Sequence, residues 1–100
     1  MLIEFEFSGG YTNLTKKYVV NTENLPDDLA DEIDRFITET EIFNINQKDI
    51  AENSMVRDAI CYKLKLQDAK RSLVLNFDDV SMPIQIRAFV QRLKEFAFHT

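Results

Sequence analysis

The sequence is poor in the residues that cross-link a chain or break its regular structure: its 100 residues include one cysteine, two glycines, two prolines and no tryptophan. So little glycine and proline excludes a collagen-like or low-complexity chain. The lone Cys61 cannot form an internal disulfide and fits a reducing compartment or one indifferent to thiols. Because 45% of the residues are hydrophobic, one hydrophobic core can form without disulfide bonds or bound metals. We therefore expect a single domain over residues 1–100.

Basic residues are also in deficit, since 12 Lys and Arg stand against 17 Asp and Glu, a formal charge of −5. This balance argues against nucleic acid and against an anionic membrane surface as partners. No apolar run approaches the ~18 residues of a membrane span. Glu4 and Glu6 stand where a signal peptide needs basic residues and then a continuous apolar stretch. We expect a soluble cytoplasmic protein.

The residues that usually carry catalysis are scarce. The one histidine, His99, is the penultimate residue, where chains are poorly positioned. Zinc-ligand spacing, a calcium loop, a phosphate loop and a nucleophile elbow are all missing from the sequence. The pair Asp78-Asp79 could act as a general acid and base or bind a metal, but carboxylates before a helix more commonly cap it. We expect no catalytic residue, no metal and no cofactor, and hence not an enzyme.

The first third of the chain predicts a hairpin. Ile3, Phe5 and Phe7 alternate with acidic residues, the pattern of a strand with one buried face. The turn signal Ser8-Gly9-Gly10 ends this strand. A second extended stretch, whose first residues could still belong to the turn, runs roughly from Tyr11 to Asn21.

A helix and a long loop follow. Pro26 stands where a first helical residue would, and carboxylates crowd the first turns. We end this helix near Glu41. Residues Phe43 to Val56 show little periodicity and predict a loop, with room for a helical turn from Lys48 to Asn53. One apolar stripe marks the buried face of the helix: Leu29, Ile33, Phe36 and Ile37.

The second half repeats the order of the first. Asp58 to Leu66 and Ser72 to Phe77 alternate like two strands of a hairpin. A final helix has Pro83 in its first turn, and Asp79 or Ser81 can cap it. Its apolar stripe consists of Ile86, Phe89, Val90, Leu93 and Ala97.

The resulting order is ββαββα. It predicts an α+β fold, with a four-stranded, mostly antiparallel sheet and two helices packed on one face. Edge strands in so small a sheet could pair two chains, so we expect a monomer or a weak dimer. From Glu23 to Glu41 there are eight acidic residues and one basic residue. In the first interpretation these residues form the solvent-exposed face of the first helix. In the second they attract a basic partner and increase its association rate.

Surface recognition remains as the source of function, and the turn Ser8-Gly9-Gly10-Tyr11 is its most informative candidate. In one interpretation it is an ordinary hairpin turn with a surface aromatic. In the other it is a presented loop, in which the glycines allow a close backbone approach and Tyr11 or Leu14 fills a pocket of a partner.

A family resemblance adds to this second interpretation. The residues that carry it are, in chain order, Ile3-Glu4-Phe5, Ser8-Gly9-Gly10-Tyr11, a helix from Leu25 to Phe36, Asp58-Ala59-Ile60-Cys61-Tyr62-Lys63-Leu64, Asp78-Asp79, and a last helix from Pro83 that includes Leu93. This pattern, over Leu2 to Phe96, resembles the emfourin family of bacterial, protealysin-associated protein inhibitors. The resemblance implies an inhibitor of a thermolysin-like metallopeptidase, paired with that enzyme and acting as a cytoplasmic safeguard.

A protein inhibitor needs no chemistry of its own, only a stiff surface that fills the substrate cleft. Our hypothesis places one turn in that cleft: Ser8, Gly9, Gly10, Tyr11, Thr12, Asn13 and Leu14. The loop from Asn44 to Ser54 is a second candidate contact. Two alternatives stay open, an acidic interaction module without inhibitory activity and a small enzyme built on Asp78, Asp79 or Cys61.

Overall fold

The structure, a computed structural model, describes residues 1–9, 14–50 and 60–98. Its strands and helices are β1 (Leu2–Gly9), β2 (Leu14–Asn21), α1 (Asp27–Thr40), β3 (Ile60–Gln67), β4 (Ser72–Asp78) and α2 (Arg87–Phe98). The strands form one sheet in the order β2-β1-β3-β4, and each neighbouring pair is antiparallel. The predicted α+β fold is therefore confirmed.

The alternation in the strands separates a buried face of the sheet from an open one. Phe5 of β1 is fully buried and lies between Tyr18 of β2 and Leu64 of β3. Glu6 points to the opposite face, where it lies between Lys17 and Lys63. Opposite charges on neighbouring strands favour this register and keep the open face solvated.

Both helices cover the same face of the sheet, as predicted. Ile33 of α1 and Phe89 of α2 are fully buried in the cluster that also contains Phe5 and Leu64. An ion pair joins the two helices at the surface, because Arg92 Nε lies 3.0 Å from Glu32 Oε1. The described residues contain no helix with both the length and the apolar character needed to cross a membrane.

The helix ends differ from the sequence expectation in two places. Pro26 is extended (ψ 149°) and precedes the first helical residue, while its carbonyl oxygen accepts the first helical bond from Ala30. The expectation that Asp79 or Ser81 caps the final helix is wrong. A short 3₁₀ turn at Ile84–Ile86 leads directly into α2.

The segment after α1 covers one edge of the sheet. Gln47 begins a 3₁₀ turn, Gln47–Asp49, and its side-chain amide accepts from Asn76 N at 2.7 Å and donates to Asn76 O at 2.9 Å. This pair of bonds imitates a neighbouring strand and blocks the middle of the exposed β4 edge. The helical turn predicted from Lys48 to Asn53 overlaps this 3₁₀ turn at Lys48 and Asp49. Residues 51–59 lie outside the described part of the chain.

Candidate functional site

Gly9 ends the strand β1, which has a neighbouring strand on both sides. Its Cα partners are Leu14 on β2 and Ile60 on β3. Gly9 has φ of 112°, a backbone conformation that a side chain would make costly. The first glycine of the predicted turn is therefore needed for the path of the backbone, and both neighbours hold it in place.

The other predicted contact residues are divided by what the structure describes. Ser8 is paired with Thr15 on one side and Cys61 on the other. Leu14 begins β2 directly opposite Gly9. The middle of the turn, Gly10, Tyr11, Thr12 and Asn13, lies outside the described residues.

Several chain segments meet at the same end of the sheet as Gly9. The first residue of β3, Ile60, pairs with Gly9, and Asp78 at the end of β4 pairs with Cys61. We call this the Gly9 end and define it by Gly9, Leu14, Ile60 and Asp78. The described residues of the first predicted contact segment, Ser8, Gly9 and Leu14, thus lie at the same end of the sheet as the start of β3.

The loop predicted as a second contact also borders a cavity of about 440 Å³. Thr40 at the end of α1, Asn44 and Ile50 in the loop, and Ser81 and Pro83 before α2 are among its lining residues. Ile50 is nearly fully buried, so this side of the loop is anchored in the core. The anchor fixes the described part of the loop, residues 44–50, against the core.

Asp78 and Asp79 do not act as a pair. Asp78 Oδ1 accepts from Val80 N at 2.9 Å and from Ser81 N at 2.7 Å, while Asp78 N donates to Ser81 Oγ. The bond from the Ser81 amide is the main reason that the pKa of Asp78 lies below its usual value. Asp78 thus closes the turn after β4.

Asp79 instead reaches back into the sheet. Its Oδ1 accepts from the Tyr62 hydroxyl at 2.7 Å, and its Oδ2 accepts from Ile60 N at 3.3 Å. Lys94 Nζ donates to the same Tyr62 oxygen at 3.0 Å. Burial, and then the hydrogen bond and charge of Asp79, raise the pKa of Tyr62. We call these side chains the Asp79–Tyr62–Lys94 network.

The sequence pattern did not identify this network, although one signal for it exists. Tyr62 is only 3% exposed and lies on the inward face of β3, among the rings of Phe5, Phe7 and Phe77. A tyrosine at such a position needs a hydrogen-bond partner for its hydroxyl. The pairing of β3 with β4 brings Asp79 to the hydroxyl, and no pattern in the residues next to Tyr62 identifies Asp79 as its partner.

The structure also describes most of the groups that the sequence offered for metal binding or catalysis. Within residues 1–9, 14–50 and 60–98, no group of three or more His, Cys, Asp or Glu side chains is placed to hold a metal ion. Cys61 is exposed on the open face of the sheet. His99 lies outside the described residues.

Comparison with known proteins agrees with recognition as the role of this chain. Searches of curated proteins and of solved structures find no match. The family model named Emfourin matches residues 5–94, which include every strand and helix described above except the outermost residues of β1 and α2. Emfourin is an inhibitor family, and its role at family level is to inhibit a metallopeptidase rather than to catalyse a reaction. With nine-tenths of its length matched, the chain belongs to the Emfourin family.

Proposed function

We propose that the protein inhibits a thermolysin-like zinc metallopeptidase by placing the Gly9 end of its sheet in the active-site cleft of the enzyme. The observation that carries this proposal is the position of Gly9. It ends a strand held by hydrogen-bonded neighbours on both sides, so the turn that follows starts from a rigid base. The proposed contact residues are Ser8, Gly9, Gly10, Tyr11, Thr12, Asn13 and Leu14.

Rigidity is the property that such an inhibitor needs. A flexible segment loses conformational freedom when it binds, whereas Ser8, Gly9 and Leu14 are already held in the sheet. Protease–inhibitor interfaces bury on the order of 1,600 Å² in total, about 800 Å² on each partner. One turn alone is too small for this area, so we propose that the loop Asn44–Ser54 adds a second contact.

Within the turn, the side chains and the backbone have different roles. Thermolysin-like enzymes favour a bulky apolar residue just after the scissile bond, so Tyr11 or Leu14 fills that pocket. Gly9 and Gly10 let the backbone pass close to the zinc ion of the enzyme. The inhibitor acts by occupying the cleft, and no bond forms or breaks in it.

We further propose that this inhibition protects a bacterial cytoplasm from a peptidase made in the same cell. The single exposed thiol, Cys61, is compatible with a reducing compartment. The exposed acidic side of α1, with Asp27, Asp28 and Asp31, would speed association with a partner of opposite charge.

The test is a titration of the full chain into thermolysin, and into the thermolysin-like enzyme of the same organism, while peptide cleavage is followed. We expect stoichiometric loss of activity. The double variant Tyr11→Ala with Leu14→Ala should raise the inhibition constant roughly 100-fold, because apolar anchors in a central pocket carry most of the affinity. Val19→Ala is the matched control, since Val19 lies on the same hairpin, is half-exposed, and points to the open face.

A second function is a pure interaction module, and it is favoured by the acidic side of α1. It predicts that the protein binds a partner without any loss of peptidase activity. If the enzyme of the same organism keeps its full activity at micromolar inhibitor, the inhibitor proposal is wrong and the interaction module takes its place.

A further inference from the structure

The first residue of β3 is held by more than its strand neighbours. Asp79 N donates to Ile60 O at 3.2 Å, and Asp79 Oδ2 accepts from Ile60 N at 3.3 Å. One aspartate, placed just beyond the end of β4, therefore binds both backbone groups of Ile60. Ile60 is also the Cα partner of Gly9. Asp79 is thus linked to Gly9 through one residue.

The carboxylate of Asp79 is itself fixed from the core. The Tyr62 hydroxyl donates to Asp79 Oδ1 at 2.7 Å, and the Tyr62 ring is packed among Phe5, Phe7 and Phe77. A bond to a charged acceptor is stronger than one between neutral groups. Because the ring cannot move without disturbing the core, the hydroxyl gives Asp79 a fixed attachment point.

Lys94 completes the network from the helix side. Its Nζ donates to the Tyr62 hydroxyl at 3.0 Å and lies 5.3 Å from the centre of the Tyr62 ring. The order is ammonium, hydroxyl, carboxylate, so each bond polarises and strengthens the next. Three separate elements, α2, β3 and the turn after β4, are joined at this one hydroxyl.

We infer that the Asp79–Tyr62–Lys94 network positions the Gly9 end of the sheet for partner binding, a role that rests on the proposed inhibitory function. Tyr62, Asp79 and Lys94 are positioning residues: they act through Ile60 and Gly9. The network orders the start of β3 before the partner binds, so the entropy cost of ordering this segment does not reduce the binding affinity.

A neighbouring cavity makes the role separable from general stability. A space of about 150 Å³ is lined by Tyr62, Asp79 and Lys94, together with residues of α2. If the hydroxyl is removed, water from this space can solvate the carboxylate and the ammonium. The core then keeps its ring packing, while Asp79 loses its fixed direction toward Ile60.

The test compares Tyr62→Phe with a matched control, Ile3→Val. The first removes only the hydroxyl, and the second trims a buried side chain at the opposite end of the sheet, where Ile3 pairs with Leu66. Amide hydrogen exchange is measured residue by residue, and inhibition is measured against the same thermolysin-like enzyme. Asp79→Asn is the second variant, because its single amide oxygen can accept from only one of the two donors, Tyr62 Oη or Ile60 N.

We expect Tyr62→Phe and Asp79→Asn to speed exchange at Ile60 about tenfold more than at Leu66, and to raise the inhibition constant about tenfold, the scale of a hydrogen bond to a charged group. Ile3→Val should change exchange evenly and leave the inhibition constant unchanged. The inference is wrong if exchange at Ile60 does not change in Tyr62→Phe and Asp79→Asn. It is also wrong if Ile3→Val has the same melting temperature as Tyr62→Phe and weakens inhibition as much as Tyr62→Phe does. If the wild-type chain does not inhibit, the proposed function fails, and the exchange pattern alone decides whether the network holds this end.

Discussion

At one end of the sheet an aspartate binds its own neighbours, and at the other end an aspartate binds residues far away in the chain. Asp68 Oδ1 accepts from Lys70 N at 2.8 Å and from Arg71 N at 2.6 Å, two and three positions along. Asp79 binds Tyr62 and Ile60, which are 17 and 19 positions away. We call the first of these ends the Asp68 end.

The two ends of the sheet are closed by different kinds of contact. The Asp68 end is closed by its own turn and by an ion pair, since Arg71 Nη2 lies 3.0 Å from Asp68 Oδ2. The Arg71 guanidinium also lies 4.2 Å from the centre of the Phe43 ring. The Gly9 end depends instead on contacts that come from β3, β4 and α2. Long-range contacts of this kind can fix the conformation of a surface to which a partner binds.

The largest effect that separates the two ends is expected from Gly9→Val. At φ of 112° a β-branched residue costs about 1–3 kcal/mol, and the turn would leave the sheet in a different direction. We expect inhibition of the thermolysin-like enzyme to weaken more than ~100-fold, since a redirected turn would lose its central contacts together. Titration of the enzyme measures this, and circular dichroism confirms that the variant is folded. A folded variant with unchanged inhibition would remove the Gly9 end from the interface.

A smaller effect is expected from Asp68→Ala at the opposite end. The variant loses the bonds to Lys70 and Arg71, so the melting temperature should fall by a few degrees. Inhibition should not change, because this end is the far side of the sheet from Gly9. Differential scanning calorimetry and enzyme titration on the same sample measure both. Weakened inhibition in this variant would mean that the two ends are not independent.

The same contrast explains what the sequence could predict. Period-two and helical patterns identified Phe5, Ile33 and Val90 as core residues, because periodicity is a local property that burial imposes on neighbouring positions. The Gly-Gly signal likewise identified Gly9, because its missing side chain permits the positive φ that this position has. In each of these cases the cause lies within a few residues of the effect.

The Asp79 interactions could not be predicted in this way. Sequence proximity to the last helix indicated that Asp79 is a cap, and this was wrong because the strand register brings Tyr62 and Ile60 closer. Gln47 is a parallel case, since its partner Asn76 is 29 positions away. Contacts of this range depend on how strands pair across the sheet, and the residues next to Asp79 or Gln47 in the sequence carry no pattern that identifies their partners.

The smallest expected effect is on stability in acid, and it sharpens the comparison between Asp68 and Asp78. The backbone bond from Lys70 is the main cause of the lowered pKa of Asp68, and that from Ser81 is the main cause for Asp78. A carboxyl group whose pKa is lowered by folding stabilises the protein above its unfolded pKa of ~3.9. That contribution is lost as the pH falls through the lower, folded value.

Melting temperatures measured from about pH 7 to about pH 2 should therefore fall less steeply for Asp68→Ala and for Asp78→Ala than for the wild type. Because the two groups lie at opposite ends and share no partner in the described residues, their effects on the acid slope should add in the double variant. A double variant no flatter than either single variant would show that the ends are coupled through the sheet. An unchanged slope in both single variants would show that ionisation of neither carboxylate stabilises the folded protein.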